Sequence, residues 1–89
     1  MSGTVRNNTE RSRYELVVDD RVVGVADYRD TGDTVVFPHT EVDPELRGQG
    51  LAAVLVEAAV DDVRATGKRI VPTCWYVARW IEDHPERGR

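Results

Sequence analysis

Cysteine and histidine are scarce in this sequence of 89 residues. Cys74 is the single cysteine, and His39 and His84 are the only histidines. One thiol cannot form an internal disulfide, and one thiol with two imidazoles is a poor ligand set for zinc. We therefore expect no internal disulfide and no metal site, and a lone cysteine is compatible with a reducing cytoplasm.

Long apolar runs and excess positive charge are also missing. No apolar run approaches the roughly 20 residues of a membrane-spanning helix, and residues 1–12 lack the apolar core of a signal peptide. The formal net charge of -4 disfavours general nucleic-acid binding, because phosphates would be repelled on average. We therefore expect a soluble, cytoplasmic protein with no nucleic-acid or membrane partner. A local anion site stays compatible with this charge, which salt screens beyond about 10 Å.

The first half of the chain carries the period-two alternation that is typical of strands. Residues 13–19, 22–28 and 34–42 predict three antiparallel strands, separated by turn residues at 19–20 and 30–33. The first strand should bury Tyr14, Leu16 and Val18. Residues 1–12 are polar, and we expect a flexible N-terminus with only a weak edge-strand signal at Val5.

The second half predicts a helix, a strand and a short final helix. The first helix should bury Leu51, Leu55, Ala58, Ala59 and Val63, and Gly67 should end it. Residues 68–74 predict a strand, and residues 75–81 a short helix. Strand 34–42, the first helix and strand 68–74 together predict a parallel βαβ unit. The expected fold class is α+β, with antiparallel strands followed by a βαβ unit, helices packed on a mixed sheet, a domain spanning residues 13–85 and a tail at 86–89.

The segment LRGQGLA places two glycines and an arginine just ahead of the long helix. A helix starting at Asp43 would hold Gly48 and Gly50 in its interior, at about 1 kcal/mol each relative to alanine. A separate turn followed by a helix from near Gly50 avoids that cost. The N–H groups from Gly48 to Ala52 would then form an anion site, and Arg47 could bind a phosphate. A purely structural turn explains the same glycines equally well.

The order of elements around this segment resembles the central half of the GNAT superfamily of N-acetyltransferases. Arg47, Gly50 and Ala52 occupy the specified positions of its Arg/Gln-x-x-Gly-x-Gly/Ala motif, which holds the pyrophosphate of coenzyme A. The resemblance implies that acetyl-CoA is the cosubstrate. It implies cofactor contacts from Arg47, Gly48, Gln49, Gly50, Leu51 and Ala52.

The segments FPHTEV, LRGQGLA and VPTCWYV further resemble a small, single-domain acetyltransferase-like family. In that family a histidine and a cysteine flank the acetyl-CoA thioester, which implies catalytic roles for His39 and Cys74. His39 would be a general base, since an ordinary imidazole is largely neutral at pH 7. Cys74 would be a nucleophile or a proton donor to the CoA thiolate. A backbone N–H around Glu41 or Val42 would bond the thioester carbonyl.

Five other side chains near the C-terminus receive mainly structural interpretations. Trp75, Val77 and Trp80 should pack the final helix on the sheet, and His84 should lie in an exposed tail. Tyr76 could contact the cofactor or lie at the surface.

The resulting prediction is an acetyl-CoA-dependent N-acetyltransferase that acts on a protein lysine or a small amine. Two features depart from full-length acetyltransferases: no helices separate the first two predicted strands, and the last two strands that help hold an acceptor are missing. A non-catalytic CoA- or acyl-CoA-binding module is therefore an alternative, and a structural or partner-binding domain is a third. The sequence identifies neither the acceptor nor the oligomeric state.

Overall fold

Five strands form one mixed sheet in the computed structural model, which describes residues 3–46 and 48–85. The strands are β1 Thr4–Asn8, β2 Arg13–Val18, β3 Arg21–Asp30, β4 Thr34–Val42 and β5 Arg69–Pro72. They lie side by side in chain order, with β1 to β4 antiparallel and β5 parallel to β4. The helices are α1 Leu51–Ala65 and α2 Trp75–Asp83, and a 3₁₀ turn covers Pro44–Leu46. The predicted mixed sheet and parallel βαβ unit are confirmed.

The strand β1 corrects the prediction of a flexible N-terminus at residues 4–8, where the sequence showed only a weak edge-strand signal at Val5. Residues 4–8 pair with β2 along their whole length, from Thr4 opposite Val17 to Asn8 opposite Arg13. The sequence TVRNN does not predict this strand, because only Val5 contributes an apolar side chain to the core. Backbone hydrogen bonds and polar side-chain contacts therefore hold β1, and hydrophobic periodicity cannot detect either.

The hydrophobic core of the described residues lies between the sheet and α1. Leu16, Phe37 and Leu55 are at most 1% exposed, and Leu51, Val56, Ala59, Val60 and Val63 line the buried face of α1. The predicted face included Ala58, which is only half-buried, and missed Val56 and Val60. The buried stripe is thus wider than predicted, as expected for a helix that packs across several strands.

The helix α2 packs against α1, β4 and β5. Val77 and Trp80 are buried as predicted. Trp75 is 77% exposed, so its predicted packing on the sheet is wrong. His84 is also not an exposed tail residue, because its ring stacks on Trp80 with centroids 4.2 Å apart and Nδ1 donates to the Trp80 carbonyl oxygen at 2.8 Å. No helix in the described part of the chain is long and apolar enough to cross a membrane.

A bulge in β4 decides which side chains face the core on either side of it. Val36 lies opposite Arg29 and His39 lies opposite Asp27, so β4 has one more residue than β3 between these two pairs. One extra residue reverses the alternation of a strand. Before the bulge the buried residues are Val35 and Phe37, and after it the half-buried ones are Thr40 and Val42. Pro38 lies inside the bulge, where its missing N–H does not interrupt the ladder.

Candidate functional site

The pairing between β4 and β5 stops halfway along β4. Their pairing runs from Thr34 opposite Arg69 to Phe37 opposite Pro72, whereas β4 continues to Val42. Pro72 ends β5, and the Cys74 N–H then bonds the Phe37 carbonyl oxygen at 2.8 Å as the chain turns into α2. The result is a gap beside residues 38–42 of β4, bounded on its other side by the start of α2.

The backbone of β4 presents hydrogen-bonding groups to this gap. The Asp43 N–H bonds the Val23 carbonyl oxygen of β3 at 2.7 Å. Because backbone groups alternate in direction along a strand, the N–H of Glu41 faces β3 and that of Val42 faces the gap. Of the two positions predicted for a carbonyl-binding N–H, the alternation selects Val42.

Cys74 lies at the closed end of the gap as the N-cap residue of α2. Its Sγ lies 3.7 Å from the Thr40 hydroxyl oxygen. Burial raises the pKa of the Cys74 thiol, but hydrogen bonds from the Val77 N–H, the Thr40 hydroxyl and the N–H groups of Tyr76 and Thr40 favour the thiolate and lower the pKa overall. The position of Cys74 at the N-terminus of α2 is the reason that its thiol is more acidic than an ordinary one.

His39 enters the same cleft from the other side of β4. Its side chain is 56% exposed, and Nε2 lies 3.8 Å from Oε1 of Glu41. The two residues are separated by one position on β4, so they share a sheet face. An open cavity of about 520 Å³ is lined by both, together with Thr40 and Cys74. The fold therefore brings the two predicted catalytic side chains to one cleft.

The glycine turn begins where β4 ends. Asp43 closes a separate turn, with its Oδ1 accepting from the Glu45 N–H at 3.0 Å. Gly48 and Gly50 then have φ of 85° and 74°, left-handed values that glycine adopts without steric cost. Nothing lies within 4 Å of a Cβ built on either residue, so the backbone there is open to solvent. The predicted division into a turn and a later helix is confirmed.

The first turn of α1 leaves backbone donors without helical acceptors. Gly50 is the N-cap and supplies no side chain, and its carbonyl oxygen accepts from the Val54 N–H at 3.3 Å. Among the described residues, no backbone carbonyl accepts from Ala52 or Ala53. Such donors, aligned with the helix dipole, bind anions. The predicted partner Arg47 lies outside the described residues, while Gln49 is exposed beside the turn.

The glycine turn and the His39–Cys74 cleft are continuous. A second cavity of about 250 Å³ is lined by Leu46, Gly48, Gly50 and Leu51. It shares Val42, Ala52 and Tyr76 with the larger cavity. An elongated ligand could therefore reach from the helix N-terminus to the gap between the strands.

Three further residues line this cleft. From the sequence, Thr40 had no predicted role, Trp75 was predicted to pack on the sheet, and Tyr76 was predicted either to contact the cofactor or to lie at the surface. Thr40 contacts the thiol because the β4 bulge turns it toward Cys74, and no sequence pattern marks that reversal. Tyr76 is half-buried where the two cavities meet, and burial raises its pKa. Trp75 lines the larger cavity and meets Tyr76 edge to face at 5.9 Å. Its position directly after Cys74 was the available signal. Among the described residues, no group of three His, Cys, Asp or Glu side chains is arranged to hold a metal ion.

Comparison with known sequences places this chain among acetyltransferases. Residues 13–89 match the family model of the GCN5-related N-acetyltransferases. Protein NATD1 of Xenopus tropicalis is 33% identical over 89 residues, covering 94% of this chain and 81% of that protein. Protein NATD1 of Homo sapiens is 32% identical over 87 residues, covering 91% and 75%.

Solved structures show the same fold. A GCN5-like protein from Staphylococcus aureus superposes with a TM-score of 0.71 at 20% identity, covering 94% of this chain and 82% of that one. The ribosomal-protein-S18-alanine N-acetyltransferase of Escherichia coli gives a TM-score of 0.64 at 24% identity, covering 72% of this chain and 43% of that enzyme. With the mixed sheet, the glycine turn and the match over residues 13–89, the chain belongs to the GCN5-related N-acetyltransferase (GNAT) family.

Proposed function

We propose that this protein binds acetyl-CoA and transfers the acetyl group to an amine. The observation that carries the proposal is the continuity of the cleft, which joins the open N-terminus of α1 to the side chains of His39 and Cys74. Family membership supports the same reaction.

The pyrophosphate would lie at the N-terminus of α1. The N–H groups of Gly48, Gln49, Gly50, Leu51 and Ala52 would surround it, and the Arg47 guanidinium would add a charged hydrogen bond. The free edge of β4 offers backbone groups to the amides of the pantetheine arm, as strand edges do to extended ligands. The thioester would then reach the gap, where the Val42 N–H would bond its carbonyl oxygen and stabilise the negative charge of the transition state.

Transfer to the amine would break the thioester C–S bond and form a C–N bond. Neutral His39 would accept the proton that the amine nitrogen loses, and the departing CoA thiolate would take a proton from the Cys74 thiol or from water. In the alternative covalent route, the Cys74 thiolate attacks the thioester carbon and CoA thiolate leaves. The amine then attacks the acetyl-cysteine, its C–S bond breaks to release the Cys74 thiolate, and His39 accepts the amine proton. The lowered pKa of Cys74 supports this second route by raising the thiolate fraction.

Thermal unfolding in the presence of acetyl-CoA tests cofactor binding. A ligand at 100 times its Kd stabilises the folded protein by about 2.7 kcal/mol, which raises the Tm of a domain of this size by roughly 10–20 °C. We expect this shift with acetyl-CoA and CoA. Gly50→Glu should abolish it, because a carboxylate would stand at the pyrophosphate position.

Gly67→Glu is the matched control. Gly67 also has a positive φ, at 80°, and also has nothing within 4 Å of its Cβ position, so the two variants carry similar backbone strain. Gly67 lies beyond the C-terminus of α1, and its variant should keep the full ligand shift. Equal loss of the shift in both variants, or no shift in the unmodified protein, would refute the assigned site.

Mass spectrometry after rapid quenching tests the covalent route. An acetyl group on Cys74, absent from Cys74→Ala, would establish the acetyl-cysteine, and an amine-dependent release of CoA without that adduct would establish direct transfer. Saturable CoA binding with neither result, across a broad panel of amines and peptides, would identify a non-catalytic acyl-CoA-binding module instead.

A further inference from the structure

A second groove opens on the side of β4 away from β5. It measures about 500 Å³ and is lined by the first half of β3 and by the end of β4 with the following turn. Only Asp19 and Asp20 separate β2 from β3, so no helix inserted between these strands covers this end of the sheet. The groove shares Glu41 and Val42 with the cleft that contains His39 and Cys74. The two therefore meet at the residue whose N–H faces the gap.

Most of the groove wall is apolar. Val22 is 41% exposed, and Val25 and Pro44 also line it. Val25 lies directly opposite Glu41 in the β3–β4 ladder, so the two side chains share one face of the sheet. An apolar strip thus leads to a carboxylate. Apolar area left open to water favours binding of an apolar partner.

The charged side chains that line the groove are all acidic. Glu41 and Asp43 line it, and its lining in the described part of the chain includes neither lysine nor arginine. The Glu41 side chain is 72% exposed and lies at the junction with the catalytic cleft. A carboxylate in that position complements a cation that arrives along the apolar strip.

We propose that this groove binds the acceptor, and that the acceptor is a primary amine, in its ammonium form, on an unbranched apolar stem. The stem lies on Val22 and Val25, and the ammonium pairs with Glu41. Since His39 Nε2 lies 3.8 Å from Glu41 Oε1, the ammonium is then beside the ring that takes its proton. One N–H proton passes to His39, the free amine attacks the thioester carbon, and the second N–H proton leaves with the CoA thiolate as the C–S bond breaks. This inference rests on the proposed acetyl transfer and adds the chemical class of the acceptor and the surface that selects it.

Chain length of the acceptor is the first variable to change. In a series of n-alkylamines from butylamine to octylamine, with CoA release as the assay, KM should fall about twofold for each added methylene. Complete burial of one methylene changes affinity about fourfold. An open groove covers only one side of the stem, so we expect about half of that free energy, which is a change of about twofold. A KM that does not change with chain length would overturn the assignment of the apolar strip.

Two exposed valines give a matched pair of variants. Val22 in the groove and Val71 on β5 are 41% and 42% exposed, and Val71 lines neither groove nor cleft. Val22→Ser should remove most of the chain-length dependence, whereas Val71→Ser should leave it intact. Equal effects of the two substitutions would show that a general loss of stability is responsible, and would overturn the proposal.

Glu41→Gln tests the recognition of charge. It should raise KM for alkylammonium acceptors about threefold, with kcat changed less, since an exposed ion pair is weak. The KM for hydroxylamine, which is uncharged at neutral pH, should not change. An equal loss with both acceptors would assign Glu41 to a structural role and overturn this part of the proposal.

Binding without turnover separates this inference from the proposed function. Hexylamine, added to the CoA complex, should shift the methyl NMR signals of Val22 and Val25, and the shifts should weaken in Glu41→Gln. These shifts with no acetyl transfer would refute the reaction but keep the groove. Transfer without the shifts would keep the reaction and overturn the groove. A lysine peptide tested beside hexylamine shows whether a protein side chain or a free amine is the better ligand of this type.

Discussion

The Glu15 carboxylate lies beneath two arginine side chains, on the sheet face opposite the hydrophobic core. Strand alternation places it outward, between Tyr14 and Leu16, yet it is only 1% exposed. Its oxygens accept from Arg13 Nε at 2.8 Å and from Arg6 Nε at 2.9 Å, with Asn8 Nδ2 at 3.1 Å. The hydrogen bond from Arg13, assisted by those from Arg6 and Asn8, outweighs burial and lowers the pKa of Glu15 to about 2.

This pKa makes the free energy of unfolding depend on pH in the acid range. The unfolded carboxylate titrates near 4.5 and the folded one near 2, so the unfolded state binds the proton first as pH falls. The stabilisation is complete above about pH 5 and is lost between there and about pH 2. We expect Glu15→Gln to lower the free energy of unfolding by about 1–2 kcal/mol at pH 7, with a smaller deficit at pH 3. Urea unfolding across this range measures it.

Glu10→Gln, in the exposed turn before β2, controls for the removal of one carboxylate. It should leave the pH dependence of the wild type unchanged. A Glu15→Gln deficit that stays constant from pH 7 to pH 3 would contradict the assigned ionisation.

Thr40 is expected to tune the Cys74 thiol. Its hydroxyl and N–H both stabilise the thiolate, and Thr40→Val removes the hydroxyl while keeping a β-branched side chain. The pKa of Cys74 should then rise, because the thiolate loses one of its hydrogen-bond donors. Iodoacetamide alkylation rates measured against pH report the change. Thr73→Val is the control, because its hydroxyl bonds the Phe37 carbonyl oxygen rather than the thiol. A midpoint that moves equally in both variants would contradict this role of Thr40.

At the scale of elements, β4 shows what sequence patterns can and cannot supply. Its existence, its approximate ends and its parallel partner follow from alternation and from the helix that joins the two strands. The bulge around Pro38 does not, because a reversal of alternation in TVVFPHTEV also fits a strand that simply ends at the proline. That reversal is what turns Thr40 toward Cys74 and places His39 and Glu41 on the opposite face of the sheet. The candidate residues were therefore predictable by type, while their contacts depend on a local backbone detail.

The helix α1 offers a direct test of the buried stripe. Leu55 is fully buried against the sheet, and its neighbour Val54 is 41% exposed. Leu55→Ala should lower the free energy of unfolding by about 2–5 kcal/mol, because it removes apolar contacts and leaves a cavity. Val54→Ala should change it by less than about 1 kcal/mol. Urea denaturation of both variants at pH 7 makes the comparison, and similar losses would contradict the assigned orientation of the helix.

At the scale of the whole molecule, the folded unit extends beyond the family match. The match begins at residue 13, whereas β1 pairs with β2 from residue 4 to residue 8. The family-like core was predictable from its hydrophobic pattern and motif order. The strand β1 was not predictable, because its side chains act on Glu15 and the alternation of β2 does not indicate that Glu15 is buried.

A truncated chain that starts at Arg13 should therefore be much less stable than the full chain. It loses the β1 ladder, the Arg6 and Asn8 contacts with Glu15, and the Tyr28 hydroxyl bond to Asn7 at 2.8 Å. We expect a loss of more than about 3 kcal/mol, or failure to fold, since hydrogen bonds to charged groups alone contribute about 1.5–3 kcal/mol each. The full-length double variant Arg6→Gln/Asn8→Ala should lose less, which separates the side chains from the strand. A truncated protein with the urea midpoint of the full chain would refute this role of β1.

The placement of the two tryptophans gives the molecule two independent optical signals. Trp75 stands in water at the rim of the cleft, whereas Trp80 is buried and stacked on His84. Indole emission shifts to shorter wavelength as water is removed, so a ligand that fills the cleft should change the emission of Trp75 while that of Trp80 follows global unfolding. Replacing either residue with phenylalanine would isolate the other signal. Occupancy and folding could then be followed in one unlabelled sample.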